Sequence, residues 1–125
     1  MKGLGDRSEN ISNHELVCKC GCGKNDTPQE VIDVVQDVCD HFSEMLNRKV
    51  ILDINSGNRC ETYNKSIGGA PASRHIVGDA IDFVIRGVSP HKVWSVLSSK
   101  YPDKYGIGKY VNFTHIDVRP TKARW

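Results

Sequence analysis

The order of patterns along this chain predicts an α+β domain, with a small, mostly antiparallel sheet and helices packed on it. Three observations carry that expectation. One apolar stripe has helical spacing, a two-faced strand follows it, and a strand, a second helix and two further strand candidates come after a long loop. Helix, strands, helix and strands in that irregular order suit an antiparallel sheet better than regular βαβ units. The length of 125 residues fits one domain, residues 1–125, with room for a real core. Residues 1–14 read as a loosely ordered lead-in.

The first helix is expected in "NDTPQEVIDVVQDVCDHFSEML". Thr27 suits the N-cap, Pro28 the first helical position, and Glu30 the far side of a capping box. Val31, Val34, Val35, Val38, Phe42 and Leu46 then recur at three- and four-residue steps, which lines one face for burial. Upstream, "HELVCKC" reads as a short extended piece.

In "KVILDINSG", Val50, Leu52 and Ile54 alternate with Ile51, Asp53 and Asn55, the period of a strand with two unlike faces. Residues 59–78 read as loop, with Gly68, Gly69 and Pro71 as breakers, and a loop of that length in a compact domain is more often functional than idle. Strand character returns in "AIDFVI". The run "SPHKVWSVLSSKY" is a second helix capped by Ser89 with Pro90 in its first turn, and Val93, Val96 and Leu97 form its apolar face. "YGIGKYVNFTHIDVRP" holds two short strands around a polar turn, stopped by Pro120. His41 falls in the first helix and His91 in the first turn of the second; His14 has no partner pattern.

Composition narrows the function classes. Seventeen Lys and Arg against 15 Asp and Glu give a net charge of +2, too balanced for a nucleic-acid binder. No run approaches the roughly 20 apolar residues of a membrane span. "MKGLGDRSEN" is polar and carries no apolar region of a secretory signal, so synthesis in the cytoplasm is the expectation. A monomer is expected.

Five cysteines is an odd number, and without a leader that argues for reduced thiols rather than a disulfide framework. Cys18, Cys20 and Cys22 cluster, while Cys39 and Cys60 stand apart. The cluster lacks the Cys-x-x-Cys spacing of structural zinc ribbons, although a second metal or a metal-storage role stays open for it.

The chemistry concentrates in "SRHIVGDAID" and "FTHIDV". His75, Asp82 and His115 offer two imidazoles and one carboxylate, the donor set of a catalytic zinc site that keeps a coordination position for water. The plainer alternative makes His75 a loop histidine, Asp82 a strand-end charge and His115 a satisfied half-buried residue. Against it, Asp82 lies between Ile81 and Phe83, and His115 precedes Ile116, so both interrupt apolar strand patterns. A polar group placed there costs free energy unless it is paired or bound to a metal. Asp79 falls on the opposite side of its strand from Asp82 and reads as a solvated charge.

Residues 73–82 resemble the Ser-x-His-x-x-Gly-x-Ala-x-Asp motif of the M15 zinc peptidases, the D-alanyl-D-alanine carboxypeptidases and peptidoglycan endopeptidases that share a fold with the signalling domain of hedgehog. "INSGNRCETYNKSIGGAPAS" resembles the family's Ser-Gly-x-Arg and Asn-x-x-x-Gly-Gly segments, and "FTHIDVRPTKARW" resembles its closing His-x-Asp strand. The likeness runs from about residue 15 onward.

The resemblance implies that His75, Asp82 and His115 hold one Zn2+ per chain. It implies that Arg59 holds the substrate carbonyl or carboxylate, and that Ser73 lines the substrate site. Many relatives have Glu or Asp three residues before the last histidine, as general base, and this chain has Asn112 there. Asp117 is the substitute, because residues two apart on a strand share a side. It would act either as base or by orienting a ligand.

The expected function is hydrolysis of a peptide bond in bacterial peptidoglycan stem peptides, as carboxypeptidase or endopeptidase. A phage or prophage lysis enzyme, made in the cytoplasm and acting on the cell wall, would fit the polar N-terminus. The alternative is a zinc-bound module of the same fold that binds without catalysing.

Overall fold

The computed structural model describes residues 11, 16, 28–57, 67 and 80–125. Helix α1 spans Gln29–Leu46, strand β1 Leu52–Ser56, strand β2 Ala80–Ile85 and helix α2 Pro90–Lys100. Strands β3, Gly106–Lys109, β4, Thr114–Asp117, and β5, Ala123–Arg124, complete the order. The strands form one five-stranded sheet in the order β1-β2-β4-β3-β5, antiparallel throughout except for the parallel edge pair β3 and β5. This is the α+β arrangement that the patterns predict.

Alternation sorts the central strands into two faces. Ile81, Phe83, Ile85, Ile107 and Ile116 point to one side and join Val31, Val35, Val38, Phe42, Val93 and Leu97 in a single apolar core. Helix α1 packs on β2 and β4, and α2 packs on β3 and β4, so both helices cover that side. The other face carries Asp82 on β2, His115 and Asp117 on β4, and Gly106 and Gly108 on β3. Register aligns them, with Asp82 opposite His115, Ala80 and Gly106 opposite Asp117, and Gly108 opposite His115.

Local chemistry explains the helix ends. Ser89 caps α2, its hydroxyl accepting from the Lys92 amide at 3.2 Å, and Pro90 follows in the first turn. Helix α1 starts one residue later than its sequence suggests. Pro28 has an extended backbone, φ −72° and ψ 151°, and occupies the cap without a side-chain bond. Glu30 instead accepts a 2.8 Å bond from the Tyr105 hydroxyl, which ties the start of α1 to the approach of β3. At the other end Asn47 turns left-handed at φ 52° and closes the helix. The apolar stripe outruns the core there, leaving Leu46 exposed, whereas Ile32 and Cys39 are buried beside the expected positions.

The two-faced reading holds at the entry to β1, where Val50 and Leu52 are buried and Ile51 is exposed, and fades within the strand, where Asp53 and Ile54 are both half-buried. Upstream, Ile11 and Leu16 are fully buried in the core, and Leu16 is helical rather than extended. The rest of residues 1–14, the loop readings at 58–66 and 68–78, and Asp79 lie outside the described residues. No helix among those described is long and apolar enough to cross a membrane.

Candidate metal centre on the polar face of the sheet

Two central strands supply the polar cluster. β2 opens Ala-Ile-Asp-Phe and β4 reads Thr-His-Ile-Asp, and all eight of these residues are buried. Their antiparallel register sets Asp82 directly across from His115, where opposing side chains meet. The result is a buried line of groups. Nδ1 of His115 donates to Oδ1 of Asp82 at 2.7 Å, and Nε2 donates to Oδ2 of Asp117 at 2.8 Å. Relative exposure is 6% for Asp82, 7% for His115 and zero for Asp117.

The line continues past the strand. Arg119 donates from Nε to Oδ1 and from its terminal nitrogen to Oδ2 of Asp117, both at 2.7 Å, and its amide adds a bond to Oδ1 at 3.2 Å. That two-pronged geometry is the strong form of an ion pair, because each oxygen keeps a donor in line. Asp117 therefore has one oxygen on Arg119 and the other shared between Arg119 and the imidazole.

Electrostatics follow from these contacts. Burial would push the Asp117 carboxyl up, but the bonds from Arg119 and His115 outweigh it and hold the group well below the usual carboxylate range. Burial pushes the His115 ring down, and the carboxylates of Asp117 and Asp82 reverse that, leaving its pKa raised. With a carboxylate facing each nitrogen, the arrangement favours the imidazole with both nitrogens protonated.

A dication tests the same arrangement differently. Nδ1 of His115 and a carboxylate oxygen of Asp82 aim at one shared proton, and a metal ion in its place would be met by both. Imidazole nitrogen and carboxylate oxygen are zinc-type donors. Asp117 would then keep the far nitrogen protonated and fix the ring, a carboxylate–histidine–metal relay. Two donors do not complete a site. Among the described residues no group of three or more His, Cys, Asp or Glu side chains is placed to hold a metal, since Asp117 meets the ring from the side away from Asp82. His75, the third expected ligand, lies outside the described residues, as do Arg59 and Ser73.

The cysteine cluster at 18, 20 and 22 and Cys60 also lie outside them. Cys39 is a buried free thiol inside α1, and burial, aided by Asp40, pushes its pKa up to about 12. It stays a protonated packing residue. Asn112 sits exposed in the turn between β3 and β4, three residues before His115.

Sequence reasoning misses several groups at the cluster. For Arg119, the position two residues beyond Asp117 on extended chain is the available cue. Trp125 lies against His115, with ring centroids 5.3 Å apart. Its proximity depends on the parallel pairing of β5 with β3, a contact that no local pattern announces.

The profile of a family described as Peptidase M15 matches residues 8–117. That span includes β2 and β4 and all three expected ligands. No curated protein matches the chain.

Proposed function

The chain belongs to the peptidase M15 family, whose members are generally zinc-dependent and act on peptidoglycan peptides, and from that premise we propose a zinc peptidase that cuts a bond in bacterial stem peptides. The observation that carries the reading is the buried contact between Asp82 and His115 on neighbouring central strands. A carboxylate and an imidazole are costly to bury, and here they lie side by side where a rigid sheet fixes their spacing.

In this reading His75 joins Asp82 and His115 as the third ligand, and Arg59 and Ser73 face the substrate. Zinc bound there would lower the pKa of a water towards ~7 and polarise the scissile carbonyl. Arg59 would steady the oxygen on which charge develops. Of the two roles open to Asp117, geometry favours orientation. Its oxygens are engaged by Arg119 and His115, and its depressed pKa leaves it a poor acceptor for a water proton. The wall of a bacterial cell is the proposed place of action, after synthesis in the cytoplasm, as for a phage or prophage lysis enzyme.

One observation supports a second reading. Asn112 occupies the place where many relatives carry a base, and an amide cannot take a proton from water. A zinc-bound module that recognises stem peptides without cutting them would fit. Zinc per chain, measured for wild type and His115→Ala beside product release from purified stem peptides, separates the two. Stoichiometric zinc lost in the variant, with turnover in wild type, supports the peptidase. Zinc without turnover supports the binding module, and no zinc in wild type after reloading overturns both.

A further inference from the structure

β3 reads Gly-Ile-Gly-Lys, and its two glycines stand on the face that carries the polar cluster. Both are occupied from above. A Cβ on Gly106 would lie 2.6 Å from Nε of Arg119 and from both carboxylate oxygens of Asp117. On Gly108 it would lie 2.5 Å from Nε1 and 2.6 Å from Cε2 of Trp125. The strand is thus a bare shelf on which a guanidinium and an indole rest directly against backbone.

The indole is held from several sides. Trp125 donates its backbone N–H to the Ile107 carbonyl at 3.2 Å, and its own carbonyl accepts from the Lys109 amide at 2.8 Å. Its Nε1 donates to the Tyr110 hydroxyl at 2.8 Å, and Tyr110 stacks on Phe113 with centroids 4.5 Å apart and planes within 12°. Arg119 lies over the indole at 5.2 Å while gripping Asp117. His115 meets the same indole at 5.3 Å with its plane tilted by 45°. One side chain therefore touches both the imidazole and the cation that fixes the imidazole's carboxylate partner.

We propose that Trp125 is a positioning residue for the metal centre: seated on Gly108 and pinned by Tyr110, its indole sets the plane of the His115 ring and holds Arg119 on Asp117. The inference rests on the reading of Asp82 and His115 as metal ligands. Among the described residues, Trp125 reaches the chemistry through His115 and Arg119. It remains 43% exposed, so its contribution to the apolar core is small and its removal tests position more than packing.

Cobalt(II) is the probe, because its visible absorption reports both affinity and the geometry of its ligands. Wild type should bind about one cobalt per chain. Trp125→Ala should bind ~10-fold more weakly, the size of effect expected when support behind a ligand is lost, with a changed visible band and unchanged far-ultraviolet circular dichroism. Trp125→Phe, which keeps a ring in place, should recover most of the affinity. Gly108→Ala, which displaces the indole without removing it, should reproduce the Trp125→Ala band. Equal affinity and an identical band in wild type and Trp125→Ala overturn the positioning role alone. A wild type that takes up no cobalt overturns it together with the ligand assignment beneath it.

Discussion

Arg119 grips Asp117 through both carboxylate oxygens at 2.7 Å, and Asp117 is fully buried. The guanidinium is the cationic group that makes this carboxylate tolerable in the interior alongside His115. Arg119→Ala should therefore destabilise the metal-free protein by about 3 kcal/mol, the cost of stranding one partner of a buried ion pair. Arg119→Lys should recover only part of it, since an ammonium cannot match two oxygens at once. Urea unfolding of the three proteins checks both statements.

Gly106 underlies the same pair. A methyl group there meets the ion pair rather than the free end of a flexible chain, so little can give way. Gly106→Ala should cost about 2 kcal/mol, within the range for forcing atoms into a filled space. A substitution without measurable effect on the unfolding midpoint would mean that Arg119 can leave Asp117 cheaply.

Arg124 binds backbone rather than carboxylates. Its guanidinium donates to the carbonyls of Tyr101 at 2.6 Å, Tyr105 at 2.8 Å, Ala123 at 2.9 Å and Lys104 at 3.1 Å. Those bonds hold the turn from α2 into β3, where Tyr105 adopts φ 70°, a conformation that costs a non-glycine residue free energy. Arg124→Ala should lose about 2 kcal/mol through unsatisfied carbonyls and speed amide exchange across residues 101–109. Exchange confined to β5 would show that the turn stands without the clamp.

Two phenols near that turn give a pH prediction. Burial pushes Tyr101 and Tyr105 up to about 12 from an ordinary 10, with Asp37 adding to the first and the hydrogen bond to Glu30 adding to the second. A group whose folded pKa is raised holds its proton more tightly when folded. The stability this provides is whole below pH 10 and is lost as pH climbs towards 12. The double variant Tyr101→Phe, Tyr105→Phe should show a smaller fall in urea midpoint between those limits than wild type. Equal falls would assign alkaline unfolding to other groups.

The parts of this structure that are legible in sequence are those written in local chemistry. Ser89 and Pro90 announce α2, and the valines of α1 announce its buried face, because capping and helical spacing act within a few residues. Asp82 and His115 stand out for the same reason, each being a polar interruption of an apolar strand. Their contact is less visible, since it depends on β2 and β4 being neighbours in register across 33 residues of chain. Gly106 and Gly108 fall within an expected strand, but nothing local announces the side chains that lie on them. β5, two residues long and parallel to its neighbour, has no periodicity to read at all. Thr27 and Pro28 mislead by one position, since proline's extended backbone serves as the flank and a tyrosine 75 residues away engages Glu30.

The alignment of β2 with β4 also ties chemistry to the correctness of folding. Side chains alternate along a strand, so a slip of one residue between these two would turn Ile116 or Ile81 outward and carry Asp82 or His115 into the apolar layer beneath the helices. Mispaired chains would lose the core and the donor pair in the same event. A slip between these two strands therefore cannot keep the Asp82–His115 contact, and that one contact reports that β2 and β4 have paired in step.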